Sequence, residues 1–585
     1  MPNEKNYSLA VIAIVLLTIL GLRLFWLQLA MGGKYREEAS VNAAKIVPSP
    51  AARGIIYDRN GKVMVENRPI FSVQVLPQLL SSRDKNKRAR VLNRLGEILG
   101  EKIRFKPSSD RPIIVKDNIA LETAMKIEEE KRELDGVIVS IQPVRFYPHG
   151  KTASLSLGYV GEIEQDELKR QKSEGYKLGD WVGKDGVEKV YDNFIRGVDG
   201  GKMIEVDVYG SPTRMLETVE PKPGADVKLT IDLDLQIAAE KALGEKEGAV
   251  VVLDPKTGEI LALVSRPSFD PNDVKLALGH GRHPFMNRAL AVYPPGSIFK
   301  VVTLTAALDE NLTQSNEAFY CPGYYNLNGR IAKCWKEGGH GKITAQEGLT
   351  QSCDIVFYEL GRRLGPDRLA KYAKLYGLNE RTGIDLPQEK KGTIPDSEWK
   401  KRARREIWYE GDSINYGIGQ GFVQVTPIQM AEIYAALASG KRMKPYIVKE
   451  IKNRNGELLY SASSIEEAKV PASPKTLAVI REALRAVVDR ATGRAAKIEG
   501  FLAAGKTGTA ENPGIPHAWF LCYAPYDDAK IVIASFVAHG AHGDQSSAYV
   551  ARDILKWYKD NRMPTSEVVA KKENKPNIHV DKNTD

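Results

Sequence analysis

Ser297 and Lys300 stand three residues apart, directly behind Pro294, Pro295 and Gly296. Proline and glycine there mark a helix start, so the serine falls on a first turn, near the positive end of the helix dipole. Lys300 then lies on the same face one turn on. A serine hydroxyl becomes a nucleophile when a neighbouring base takes its proton, and a lysine desolvated in an apolar cleft is such a base. Alone, S-x-x-K also fits a plain amphipathic helix. About fifty residues later comes Ser352-Cys353-Asp354. Its hydroxyl is placed to relay a proton between Lys300 and a leaving amine, and its carboxylate to orient the lysine. The third group is Lys506-Thr507-Gly508-Thr509, behind Ala503, Ala504 and Gly505. Gly508 leaves room for a peptide to add along a strand edge. Lys506 and the hydroxyls of Thr507 and Thr509 suit a terminal carboxylate. The N–H groups of Ser297 and Thr509 suit an oxyanion. Together these groups describe acyl transfer through a serine ester.

A second cluster has ligand chemistry. Cys321, Cys334, His340 and Cys353 follow the pattern C-x12-C-x5-H-x12-C. A disulfide with a spare thiol is one reading in an oxidising compartment. A closed Cys₃His set for structural zinc is the other. Cys522 sits in an apolar strand and reads as a core thiol, and His517 as structural.

These groups need a scaffold. A chain of 585 residues, 43% hydrophobic and 27% charged, implies several domains with large cores. The net charge of +10 is spread along the chain, without a nucleic-acid-binding signature, so nucleic acid is not expected as a partner. Residues 9–30 are apolar apart from Thr18, Arg23 and Gln28 and long enough to span a bilayer. No A-x-A cleavage site follows, so they read as an uncleaved anchor behind a tail of residues 1–8. Arg23 is expected to snorkel. Arg53–Gly61 reads as a strand entering an Asn-Gly turn. Residues 81–103 read as a basic helix with Val91, Leu92, Leu95, Ile98 and Leu99 on one face. A Pro/Gly linker at 221–224 opens a long α/β region. Two apolar strands there, 249–253 and 259–265, form a hairpin expected at the centre of an antiparallel sheet. Helical patterns fill about 297–440, and strands return over 501–510, 518–523 and 531–538. Residues 563–585 are polar and charged and are expected to be disordered.

The order S-x-x-K, S-x-N-like, K-T-G is the signature set of penicillin-binding proteins and serine β-lactamases. The chain resembles the class B penicillin-binding proteins, most closely their elongation branch, over nearly its whole length. GlyLeuArgLeuPheTrpLeuGlnLeu (21–29), ArgGlyIleIleTyrAspArgAsnGly (53–61), GlyLysAspGlyValGluLysValTyrAsp (183–192), ArgGlyValAspGlyGly (196–201), Thr230-Ile231-Asp232 with Gln236, IleGlyGlnGly (418–421), ThrProIleGln (426–429) and HisAlaTrpPhe (517–520) carry the resemblance. Asp354 departs from the asparagine of most members and resembles the elongation branch.

The resemblance implies a multidomain α/β (α+β) protein: a transmembrane helix, an elongated pedestal over 35–220 with a head insertion at about 68–150, and a transpeptidase domain over 225–562 whose central antiparallel sheet is flanked by helices. It implies a single pass through the bacterial cytoplasmic membrane, with the catalytic domain in the periplasm. The implied activity is D,D-transpeptidation of peptidoglycan stem peptides during elongation, with covalent capture of β-lactams and a D,D-carboxypeptidase side reaction. Because 35–225 has no room for a glycosyltransferase beside the pedestal, a SEDS-type polymerase and other elongation-complex proteins are the implied partners. Some members of this branch hold zinc beside the active site, which adds weight to the zinc reading. A division-type transpeptidase and a non-catalytic β-lactam-binding scaffold are the alternatives.

Overall fold

The structure, a computed structural model, describes residues 4–34, 44–76, 85–103, 113–206, 212–279 and 281–563. The tail expected from residue 563 lies outside the described residues from 564 onward, as do the first three residues of the expected 1–8 tail. By packing, the described chain forms two units. The first gathers the described residues within 1–53, 67–145 and 196–224, and the second those within 54–66, 146–195 and 225–585.

The first unit begins with the helix Glu4–Phe25, continued by a wider π turn over Trp26–Ala30. Leu9–Ala30 is a 22-residue span with mean hydropathy 2.5, long and apolar enough to cross a bilayer. Arg23 does not extend alone; its guanidinium stacks 4.7 Å from the Trp26 ring centroid. The basic segment forms the helix Lys85–Leu99. Val91, Leu95 and Leu99 recur every fourth residue and are buried with Val73, Val75, Ala124, Ile127 and Val137. Lys87 and Arg90 are exposed, and Arg94 pairs with Glu130 at 2.6 Å. Strands Ala44–Ser49, Gly200–Val206 and Pro212–Val219 form a separate antiparallel sheet.

The second unit carries the three candidate motifs on a five-stranded antiparallel sheet. Its strands are β1 (Gly248–Leu253), β2 (Ile260–Arg266), β3 (Ala504–Ala510), β4 (His517–Ala524) and β5 (Ile531–Val537), in the order β2-β1-β5-β4-β3. Both faces are buried, which explains the continuous apolar runs. Alternate residues enter different cores. Val251, Trp519, Leu521, Ala534 and Phe536 join one cluster with helices α2 (Lys300–Asp309), α3 (Asp354–Leu375) and α4 (Pro427–Ser439). Val250, Val252, Phe520, Cys522 and Ile533 join another with α1 (Leu233–Leu243) and α6 (Ser547–Arg562). Helix α5 (Pro474–Arg490) precedes β3, and Ser473 caps it through Thr476 N at 3.2 Å. The hairpin read at 53–61 is present: Ile56–Tyr57 pairs antiparallel with the start of Val63–Val75, and Asp58 Oδ1 accepts from the N–H groups of Asn60 and Lys62.

One stretch departs from the helical expectation for 297–440. Between α2 and α3 lie two short β pairs, Ala318–Cys321 with Gly341–Thr344 and Tyr324–Leu327 with Arg330–Lys333. Each strand has four residues with much of its side-chain surface open to solvent, so no period-2 apolar pattern marks it.

Candidate active site

Ser297 lies on a 3₁₀ turn, Gly296–Phe299, that feeds α2; the α-helix proper begins at Lys300 rather than at the serine. Gly296 has φ +59°, and its N–H donates to Gly419 O at 2.9 Å. A Cβ at Gly296 would fall 2.3 Å from Thr509 O, and one at Gly419 2.3 Å from Gly296 O. The serine turn is thus wedged between the 418–421 loop and β3 at a spacing only glycine allows. Ile298 and Phe299 anchor the turn in the core, while Ser297 is partly open. Trp519 Nε1 donates to Pro294 O at 3.1 Å and ties the turn to β4.

Lys300 is fully buried and uses three hydrogen bonds, none of them to Ser297. Its Nζ donates to Asp354 Oδ1 at 2.8 Å, Ser352 O at 2.9 Å and Ser352 Oγ at 3.3 Å. Ser352 reaches this position with φ +56°, a left-handed conformation that turns both its oxygens to the lysine. Asp354 opens α3, and its Oδ2 accepts from Trp335 N at 2.9 Å. The buried charge is therefore paired and its counter-ion further hydrogen-bonded, the condition for keeping an ion pair out of water. Phe357 lies 5.2 Å from the ammonium and closes the apolar side.

Lys506 is the second buried lysine of the site. Its Nζ donates to Thr507 O at 3.0 Å. Burial first, then the like charge of Lys300, pushes its ammonium well below the ordinary lysine range, while Asp354 pulls the other way. Strand β3 is an edge of its sheet, so peptide groups along it are available for strand addition. Lys506 and Gly508 point toward the serine turn: a Cβ on Gly508 would meet Ile298 Cγ2 at 2.9 Å and Pro295 O at 3.2 Å. Thr507 and Thr509 alternate to the other side. Thr507 Oγ1 donates to Thr492 Oγ1 at 2.7 Å. Ser297, Lys300, Ser352, Asp354 and the β3 motif are thus gathered at one place from three segments.

Cys321, Cys334, His340 and Cys353 also converge. Their donor atoms lie within 4.8 Å of one another, and all four cysteines of the chain are free thiols. His340 Nδ1 is 3.5 Å from Cys321 Sγ and 3.6 Å from Cys334 Sγ. The Cys353 thiol and His340 lower the Cys334 thiol below the ordinary thiol range, against the opposing effect of burial. His340 Nε2 is buried without a partner among the described residues. Cys522 is a buried thiol raised by desolvation, consistent with a core role. His517 packs on Tyr293 and Phe536, and burial followed by the neighbouring His539 lowers it to about 4.

Two contributors were not singled out by sequence reasoning. Trp335 donates its backbone N–H to Asp354 and its indole N–H to Ser352 O at 3.0 Å. Its place directly after Cys334 was the available signal. Thr492 holds Thr507, and nothing in its surroundings in the sequence marks it.

With this geometry in hand, comparison with known proteins is informative. The profile of the penicillin binding protein transpeptidase domain matches residues 248–556, and that of the penicillin-binding protein dimerisation domain residues 48–229. The peptidoglycan D,D-transpeptidase MrdA of Acinetobacter baumannii is 32% identical, over 94% of this chain and 86% of that protein. A penicillin-binding protein (PBP2) solved in complex with MreC from Helicobacter pylori is 26% identical with a TM-score of 0.76, covering 89% of this chain and all of that one. A chain from a peptidoglycan synthase complex, solved in a study of how polymerization and crosslinking are coordinated, is 30% identical with a TM-score of 0.72, covering 96% of this chain and 99% of that one.

Proposed function

The chain belongs to the class B penicillin-binding proteins and is a serine-type peptidoglycan D,D-transpeptidase of the elongation type; from that premise we propose how its own residues divide the work. Ser297 is the nucleophile. The base is the Lys300–Asp354 pair acting as a unit. At 2.8 Å a proton passes from Nζ to Oδ1, which leaves a neutral amine to take the Ser297 proton. Ser352 Oγ, at 3.3 Å from the same Nζ, passes a proton on to the departing D-alanine. The donor stem peptide adds along the β3 edge, with its terminal carboxylate against the Thr507 and Thr509 hydroxyls, while buried Lys506 faces the serine turn. The N–H groups of Ser297 and Thr509 bind the oxyanion. An amine from a second stem peptide then takes the acyl group, and β-lactams trap Ser297 at the ester. The observation that carries this reading is the paired, buried Lys300 held between both elements of the Ser352 motif.

The cysteine cluster fits structural zinc. In a tetrahedron with bonds of about 2.3 Å to sulfur and 2.0–2.1 Å to nitrogen, S···N separations come to about 3.6 Å. The two separations in the structure are 3.5 and 3.6 Å. Cys321, Cys334, His340 and Cys353 would fill every position, so the ion's contribution there is a tether and not a reaction. That tether runs between Ser352 and Asp354. Metal analysis of protein prepared without chelator is expected to find one zinc per chain; its absence together with a Cys–Cys bridge would reject the assignment.

The anchor at 9–30 is proposed to hold the chain in the bacterial cytoplasmic membrane, with the transpeptidase domain over 225–562 in the periplasm. The pedestal over 35–220, with its head at about 68–150, is proposed to meet a SEDS-type polymerase and other elongation proteins. The solved relatives with MreC and within a synthase complex support that choice. A direct test supplies the full-length protein with pentapeptide-bearing glycan polymer. Cross-linked product and released D-alanine are expected together, and neither with Ser297→Ala. D-Alanine without cross-links would make the protein a carboxypeptidase.

A further inference from the structure

The short helix Ser397–Arg404 and the residue after it concentrate charge that acyl transfer does not use. Lys400–Arg405 is basic at five of six positions. Lys400 is buried and holds the helix down. Its Nζ donates to Asp412 Oδ2 at 2.5 Å, lies 3.4 Å from Glu406 Oε2 and sits 4.5 Å from the Tyr409 ring centroid. Lys401, Arg402, Arg404 and Arg405 are instead exposed and have no ion-pair partner among the described residues. Lys401, Arg404 and Arg405 stand at i, i+3 and i+4, so they share one side of the helix, with Arg402 beside them. Within 397–412, Glu398 is the free carboxylate among the described residues. Glu406 and Asp412 pair with Lys400, and Glu410 with Arg362. Ile407 and Tyr409, 68% and 55% exposed, flank the cations. This face borders the catalytic cleft. The Arg404 guanidinium lies 5.4 Å from the Phe422 ring centroid, and Trp399 packs on the same ring at 5.4 Å. Phe422 follows by three positions Gly419, the residue wedged against the serine turn, a chain reach of about 11 Å at most. Exposed Lys390 and Lys391 add charge on the far side of Phe422: they precede Thr393, which pairs with Gln424 at 2.7 and 2.9 Å.

We propose that this face is a docking surface, outside the cleft, for the polyanionic cell-wall strand, and that it holds carboxylates of stem peptides that are not being joined. The choice of polymer rests on the transpeptidase reading. The charges are complementary. Every stem that ends in D-alanine carries a free carboxylate, and a glycan strand repeats it along its length. A guanidinium pairs with a carboxylate through two parallel hydrogen bonds, and three of the four exposed cations on the helix and its cap are arginines. Each pair is exposed and individually weak. The face therefore works by number: several weak contacts keep the strand at hand while one stem lies in the cleft. Its position beside the loop that supports the serine turn is what makes the two engagements compatible. The face takes no part in the chemistry at Ser297, which proceeds whether or not the face is occupied.

The test uses the full-length protein with its anchor in nanodiscs of neutral lipid. Ser297 is first acylated with benzylpenicillin, so that the cleft is filled, and binding to purified sacculi is read by co-sedimentation. In the fourfold variant Lys401→Gln, Arg402→Gln, Arg404→Gln, Arg405→Gln the Kd should rise about tenfold, as expected for four exposed charge pairs. Wild type should lose as much on sacculi whose carboxyl groups have been amidated, and the variant should lose nothing further there. The variant should keep the wild-type melting temperature and rate of acylation. Should it melt early, the amidated sacculi decide on wild type alone. Undiminished binding by a folded variant, or no loss by wild type on amidated sacculi, would overturn the docking surface. So would variant-sensitive binding to phosphatidylglycerol vesicles with none to sacculi, which would make the face a membrane contact. A wild type that benzylpenicillin does not acylate would instead overturn the transpeptidase reading, and sacculus binding by the untreated protein keeps the two failures apart.

Discussion

At the residue scale the site is dominated by two buried lysines with different bonding. Lys300 has a counter-ion at 2.8 Å, and Asp354 is itself held by Trp335. Removing the carboxylate strands a buried ammonium, a change worth about 3–5 kcal/mol. Asp354→Ala should therefore lower both the melting temperature and the rate of penicillin acylation by at least tenfold, read by scanning calorimetry and a chromogenic cephalosporin. An unaltered rate would remove Asp354 from the base. Lys506 has no carboxylate bonded to it, and burial with Lys300 lowers its pKa from 10.5. Between that lowered value and 10.5 the unfolded chain holds a proton that the native state lacks, so stability rises with pH across this window. Lys506→Met should then be more stable than wild type, most at low pH, with the gap closing toward pH 10.5, while acylation is lost. A gap that widens with pH would contradict the burial argument. The candidate catalytic residues that the structure gathers at one place were legible as a set because S-x-x-K, S-x-N-like and K-T-G state a chemistry in residue type and order. Trp335 and Thr492 were not, because each acts through a contact made only once the loops beside the motifs are folded.

At the element scale the glycines set the distances. The serine turn, the 418–421 loop and β3 meet through Gly296, Gly419 and Gly508, where a Cβ would intrude to between 2.3 and 2.9 Å. Gly296→Ala adds a strained φ of +59° to that clash. We expect acylation to fall at least tenfold, with a loss of about 1–3 kcal/mol in stability, measured by penicillin labelling and denaturant melts. Wild-type labelling would show that the turn tolerates displacement from β3. The two β pairs between α2 and α3 bring three of the four cluster ligands together: Cys321 ends one strand, and Cys334 and His340 lie in the connection to Gly341–Thr344. Chelator should therefore lower the melting temperature and expose thiols of the cluster to a thiol reagent, while Cys522 stays buried. Unchanged melting and thiol reactivity would argue against a tether. The sheet strands were readable from their apolar runs. These four-residue strands were not, since partly exposed side chains leave no periodicity.

At the scale of the whole molecule, the candidate span Leu9–Ala30 was readable from its 22 mostly apolar residues because a bilayer imposes length and composition directly. The packing of 54–66 and 146–195 with the C-terminal unit was not, since such pairing is set by register between distant strands and leaves no local mark. The C-terminal unit has its own cores on both faces of the five-stranded sheet. Deleting residues 1–34 should thus move the protein from the membrane to the soluble fraction while penicillin labelling persists; loss of labelling in a folded product would tie catalysis to the anchor. The central claim is that Ser297 forms an acyl ester, activated by Lys300 and Asp354. Intact mass spectrometry after incubation with benzylpenicillin tests it most directly. A single adduct of one penicillin on the wild-type chain, absent from Ser297→Ala, is the predicted result. No adduct on folded wild type, or an adduct that survives in Ser297→Ala, would contradict it.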